Sequence, residues 1–139
     1  MKKLLLVSLL LVTAEANAFC FKEAAARYNV SEPLLLAIAK TESNMHSLAT
    51  NMNSNGTKDI GLMQINSSHL PELLAYGITE KTLYNDPCTN VQVGAWILAK
   101  SIAVHGNTWR AVGSYNTGVK GSEAKRQIYV RRVAKNLKI

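Results

Sequence analysis

Two cysteines in 139 residues are too few for a disulfide-scaffold miniprotein and too few for a zinc site built on four thiolates. His46, His69 and His105 are scattered without ligand spacing, so no metal or other cofactor is expected. The chain has no internal repeat, no low-complexity tract and no obvious linker, which leaves one domain and no array. No uninterrupted apolar stretch approaches the roughly 20 residues that a membrane span requires. What is present is ample apolar material, 47% against 18% charged, enough to bury a core and unlike a disordered tail.

The first eighteen residues read as a cleaved export signal. Lys2 and Lys3 are followed by an apolar run from Leu4 to Val12, broken only by Ser8, and Ala16-Asn17-Ala18 places small residues where a signal peptidase reads. Cleavage after Ala16 is the lesser alternative. Cys20 near the new N-terminus raises the question of a lipid anchor, and bulky Phe19 before it excludes that processing. Export puts Cys20 and Cys88 in an oxidising compartment, where an even count pairs. Their disulfide would be worth about 2 to 4 kcal/mol.

The net charge of +7 is unevenly placed. Residues 19–119 carry seven basic and seven acidic groups, whereas residues 120–139 carry Lys120, Lys125, Arg126, Arg131, Arg132, Lys135 and Lys138 against Glu123 alone. Such a segment can meet an anionic polymer or partner, or can be a solvated helix face. Export and the lack of a nucleic-acid motif argue against nucleic acid.

The pattern is mostly helical with a small β element, a mainly α (α+β) class over residues 19–139. A short helix is expected from Lys22 to Tyr28. A second, capped by Ser31, carries a core stripe of Leu35, Ile38 and Ala39. Asn55-Gly56 signals a small hairpin. Pro71 opens a short helix through Leu74, and Asp86-Pro87 precedes a long one bearing Val91, Ala95, Leu98 and Ile102. Trp109 to Tyr115 is a short helical piece. A basic terminal helix over about residues 122–137 turns Tyr129, Val133 and Leu137 inward. Trp96 and Trp109 read as core residues rather than sugar platforms.

Glu42 breaks this structural account. It lies seven residues after Leu35, four after Ile38 and three after Ala39, on the apolar face of its helix. Burial disfavours a carboxylate and should raise its pKa toward about 6, where it keeps a usable acid fraction. Asp59 follows 17 residues later, across the polar hairpin. Two carboxyl groups in unlike surroundings are what glycoside cleavage asks for. Gln64 and Asn66, just beyond, offer amides suited to sugar hydroxyls.

Four segments then carry a resemblance. Glu42-Ser43, Gly61-Leu62-Met63-Gln64-Ile65-Asn66, Ser114-Tyr115-Asn116-Thr117-Gly118 and Tyr129-Val130-Arg131-Arg132-Val133 match in order and spacing the motifs of lytic transglycosylases. The chain resembles in particular the small specialised type that accompanies type III secretion and conjugation machineries. The similarity runs from about Cys20 to Val133. Asp59-Ile60-Gly61 with Gln64-Ile65-Asn66-Ser67 is also similar to the matching stretch of c-type lysozymes, a family whose several disulfides two cysteines cannot supply. The usual Ala-Tyr-Asn-Ala-Gly is replaced here by Ser114-Tyr115-Asn116-Thr117-Gly118, and an aspartate at position 59 is not general among transglycosylases.

The resemblance implies a lysozyme-like fold with peptidoglycan glycan strands as substrate. It implies catalysis by Glu42 aided by Asp59, with Ser43, Gln64, Asn66, Tyr115 and Asn116 binding glycan and Tyr115 also hydrogen-bonding Glu42. It further implies a periplasmic monomer that serves a secretion or conjugation apparatus, with no membrane segment after signal cleavage. A hydrolytic lysozyme using the same residues, and an inactive glycan-binding or scaffold protein, are the alternatives.

Overall fold

The computed structural model describes residues 19–137; the export signal expected over residues 1–18 lies outside the described residues. Among these, α1 (Phe21–Tyr28) and α2 (Glu32–Ser43) lead into β1 (Thr50–Met52), β2 (Lys58–Ile60) and β3 (Ile65–Asn66). A 3₁₀ turn (Ser67–His69) and α3 (Leu70–Leu74) follow, then α4 (Glu80–Asn85), α5 (Pro87–His105), α6 (Trp109–Thr117) and α7 (Glu123–Leu137).

Local chemistry sets these boundaries. Ser31 Oγ accepts the Leu34 amide at 3.3 Å and Pro33 occupies the first turn of α2. Asn44, at φ 52, ends that helix in the left-handed conformation that asparagine tolerates. Thr79 caps α4 with Thr82 in a reciprocal box, and Asp86 caps α5 by accepting the Thr89 amide at 3.1 Å. Sequence reading missed α4, six residues whose single buried side chain, Leu83, leaves no periodic pattern.

The β element is larger than the hairpin expected. β1 and β2 pair antiparallel around the Asn55-Gly56 turn, and β3 adds a third strand in the order β1-β2-β3. Two residues are too short to show strand alternation, which is why β3 does not stand out in the sequence. The register sets Asp59 opposite Asn51 on one side and Asn66 on the other.

α5 runs through the centre of the core, with Val91, Ala95 and Leu98 fully buried. Truncating a side chain such as Leu98 to alanine costs about 2 to 5 kcal/mol in such a setting. The sheet is stitched to α5 by Asn90, which is wholly buried. Its Oδ1 accepts the Met63 amide at 2.8 Å, while its Nδ2 donates to Ile60 O at 2.9 Å and Leu83 O at 3.0 Å. Gly61, at φ 74, lets the strand pass close to that amide, where a Cβ would collide with Asn90. A disulfide joins Cys20, just before α1, to Cys88 in the first turn of α5, with Cα atoms 5.1 Å apart.

Two side chains depart from their expected places. Trp109 starts α6 and is 42% exposed, so it is no core residue; it sits in the first turn, beyond the buried stretch Ala111–Ser114. Arg126, counted in the basic segment, is only 2% exposed, because Gly113 leaves room for its stem against α6. Trp96 is partly buried, with Lys100 Nζ 4.2 Å from its ring centroid. No helix among the described residues is long and apolar enough to cross a membrane.

Candidate active site

A cleft of ≈ 710 Å³ opens between the sheet and the helices. Glu42, Asp59, Gln64, Asn66, Tyr115 and Asn116 all line it, so folding gathers six of the seven expected site residues. Ser43 is the exception. It points into the protein and donates its hydroxyl to Leu62 O at 2.7 Å, tying the end of α2 to the turn after β2.

Glu42 reaches the cleft because Leu35, Ile38 and Ala39 press the same face of α2 into the core. Burial is the main force on its carboxyl group and raises the pKa to about 7. Three neighbours modulate this. The hydrogen bond from Tyr129 and the charge of Arg132 lower it, and the charge of Asp59 raises it. Tyr129, itself buried, donates its hydroxyl to Glu42 Oε1 at 2.6 Å. Arg132 also donates to Thr41 O at 3.2 Å and Asn136 to Thr41 Oγ1 at 2.9 Å, which seats α7 on the end of α2.

The expected bond from Tyr115 to Glu42 is absent. Tyr115 donates instead to Met63 O at 2.7 Å, bracing the turn that carries Gln64. The residue that contacts the acid is Tyr129, whose place on the apolar face of α7 reads as core. The overlooked signal is its hydroxyl, since a buried tyrosine needs a hydrogen-bond partner.

Asp59 sits in a polar frame on β2. Its Oδ1 accepts from Asn66 Nδ2 at 2.8 Å and its Oδ2 from Asn53 Nδ2 at 3.1 Å. Both amides also reach Thr57 Oγ1, at 3.1 and 3.0 Å, so the frame is shared. Asn66 therefore orients Asp59. Gln64, held at φ 51, donates to Ala49 O and Gly61 O and accepts from Asn51 Nδ2 at 2.7 Å. Its amide is spent on the fold of the cleft floor. Asn116, by contrast, stands exposed on the helical wall.

One acid is thus held in apolar surroundings with a pKa near neutrality, and a second carboxyl group is fixed across the cleft by amides. This arrangement can deliver a proton to a leaving oxygen and stabilise positive charge beside it.

Comparison with known proteins agrees with the geometry. Residues 19–137 match the family model described as the transglycosylase SLT domain. The chain is 41% identical over 133 residues to "Invasion protein IagB" of Salmonella typhimurium, covering 95% of this chain and 83% of that one. It is 36% identical over 128 residues to "Protein IpgF" of Shigella sonnei, covering 92% and 84% respectively. Its fold superposes with a TM-score of 0.66 on an inactive mutant of the lytic transglycosylase Slt from Pseudomonas aeruginosa. That match has 22% identity and covers 88% of this chain and 23% of the larger one. With the whole described chain inside one family model, the protein belongs to the SLT-domain transglycosylase family.

Proposed function

We propose that the protein cleaves the MurNAc-β-1,4-GlcNAc bond of peptidoglycan as a lytic transglycosylase. The observation that carries this reading is Glu42: a cleft carboxyl group with a pKa raised to about 7, in hydrogen bond with Tyr129. Protonated Glu42 gives its proton to the glycosidic oxygen as the bond to the MurNAc anomeric carbon breaks. The Glu42 carboxylate then takes the proton of the MurNAc 6-hydroxyl while that oxygen attacks the same carbon. A 1,6-anhydro ring closes, Glu42 regains its proton, and no water is consumed. Asp59 stabilises the positive charge that develops on the sugar. Asn116 and the Tyr115 wall orient the glycan.

A second reading rests on Asp59 itself. A second carboxyl group facing the cleft suits a hydrolytic lysozyme, in which water replaces the 6-hydroxyl. Mass spectrometry of digested peptidoglycan separates the two, because anhydro and hydrated ends differ by one water. Anhydro ends are expected; exclusively reducing ends would move the protein to the lysozyme reading. No cleavage product of either kind from wild type would leave a glycan-binding scaffold.

The Cys20–Cys88 disulfide supports an oxidising destination. With residues 1–18 as export signal, that destination is the periplasm. There the enzyme, a monomer, opens the wall locally for a secretion or conjugation apparatus, the role implied by the resemblance in its motifs.

A further inference from the structure

Arg126 is the largest fully buried side chain, 2% exposed, and it is charged. Burying a guanidinium is costly unless its N–H groups find acceptors, and here four hydrogen bonds serve the five N–H groups. Nε donates to Ser114 Oγ at 3.0 Å and Nη1 to Glu123 Oε2 at 2.8 Å. Nη2 reaches two backbone carbonyls, Gly118 O at 3.3 Å and Val119 O at 2.8 Å. Those two carbonyls belong to the turn that leaves α6, and Ser114, Gly118 and Val119 all line the cleft.

The surrounding sequence accommodates this arrangement. A side chain at Gly113 would collide with the stem of Arg126, and one at Gly121 would strike the Thr117 carbonyl. Glu123, the single acidic residue of the terminal segment, supplies the counter-charge and is itself held by Gln127 Nε2 at 3.0 Å. Arg126 itself does not line the cleft and makes no hydrogen bond to Glu42 or Asp59.

We propose that Arg126 is a positioning residue for the glycan: by gripping the Gly118 and Val119 carbonyls it fixes the helical wall of the cleft, and glycan binding depends on it. Chemistry at Glu42 runs through Tyr129 instead, so the grip acts on KM rather than on kcat. The proposal rests on the glycan-cleaving reading above, and it has a readout that does not.

The test is Arg126→Lys, which keeps the charge but loses the planar fork that spans several acceptors. On peptidoglycan strands, KM should rise about tenfold with kcat within about twofold of wild type. Hydrogen exchange at the 118–121 amides should quicken about tenfold or more while α5 keeps its protection. A folded variant with unchanged KM or unchanged exchange at 118–121 overturns the proposal. So does a fall in kcat at constant KM. If Arg126→Lys does not fold, Glu123→Ala, at a half-exposed position, removes the Nη1 partner and carries the same expectations with smaller shifts. Unchanged KM and exchange there overturn it equally. Wild-type protein that cleaves no glycan refutes the function proposed above, while the exchange measurement still decides whether Arg126 holds the wall.

Discussion

Glu42 and Asp59 face one cleft from walls built on different principles. The helical wall surrounds Glu42 with core side chains and gives it one phenolic hydrogen bond and a pKa of about 7. The sheet wall gives Asp59 two amide donors and a register that holds it between Asn51 and Asn66. The same functional group thereby meets two environments, burial that favours the protonated acid at Glu42 and amide donors aimed at both oxygens of Asp59. The difference lies in what surrounds each group, apolar atoms in one case and aligned dipoles in the other.

Removing the acid should have the largest effect. Glu42→Gln should abolish glycan cleavage with the fold intact, since the amide is nearly isosteric but has no proton to give; wild-type turnover would remove Glu42 from the mechanism. The same variant should be the more stable protein above neutral pH. Because the folded pKa lies above the ordinary glutamate value of about 4.5, the stability that Glu42 contributes is complete below about 4.5 and is lost as pH rises through about 7. Glutamine escapes that loss, so at pH 8 thermal or denaturant unfolding should show a gain of about 2 kcal/mol.

Asp59→Asn tests the other wall. Turnover should fall about 10²-fold, less than for Glu42→Gln. With one neighbouring negative charge gone, the Glu42 pKa drops and the alkaline limb of the pH–rate profile should move down. Unaltered kinetics would reduce the site to one carboxyl group.

Tyr129→Phe should move the same limb the opposite way. Its hydrogen bond lowers the Glu42 pKa, so removing it leaves only the charge of Arg132 to oppose burial and the limb should shift up, with turnover down several-fold. Two variants that displace one limb in opposite directions would be hard to explain by loss of fold. The smallest effect belongs to Asn53→Ala, which removes one of the two donors to Asp59. At about 1 kcal/mol for such a bond, turnover should fall about fivefold with the pH profile unmoved.

How much of this was legible depended on the range of the interactions. Glu42 shows in the sequence because its helix partners lie three, four and seven residues away, within one periodic pattern. Asp59 shows through its spacing from Glu42 and through the polar hairpin. Asn90 did not show, since its partners Met63 and Ile60 lie 27 and 30 residues off and its neighbours form an apolar helix. Tyr129 bonds across 87 residues; it was legible as an apolar-face aromatic and as the first residue of a family motif, but not as the partner of Glu42. Arg126 was hidden by composition: among so many surface cations nothing in the sequence distinguishes the one that turns inward. Gln64 and Asn66 suggest sugar contacts by chemical type, and the structure turns their amides toward the protein instead.

The disulfide divides the chain topologically. Cys20 and Cys88 are 68 residues apart and close a covalent ring that contains both carboxyl-bearing elements, α2 and β2. The tail beyond the ring carries Tyr115, Arg126 and Tyr129. Closing a ring of this size removes unfolded-chain entropy worth about 4 kcal/mol, a large share of the roughly 5 to 15 kcal/mol that holds an ordinary domain folded. A reduced chain lacks that contribution. The cleft therefore gains its full stability only once the sulfurs are oxidised, which ties the strength of the fold to the redox state of its surroundings.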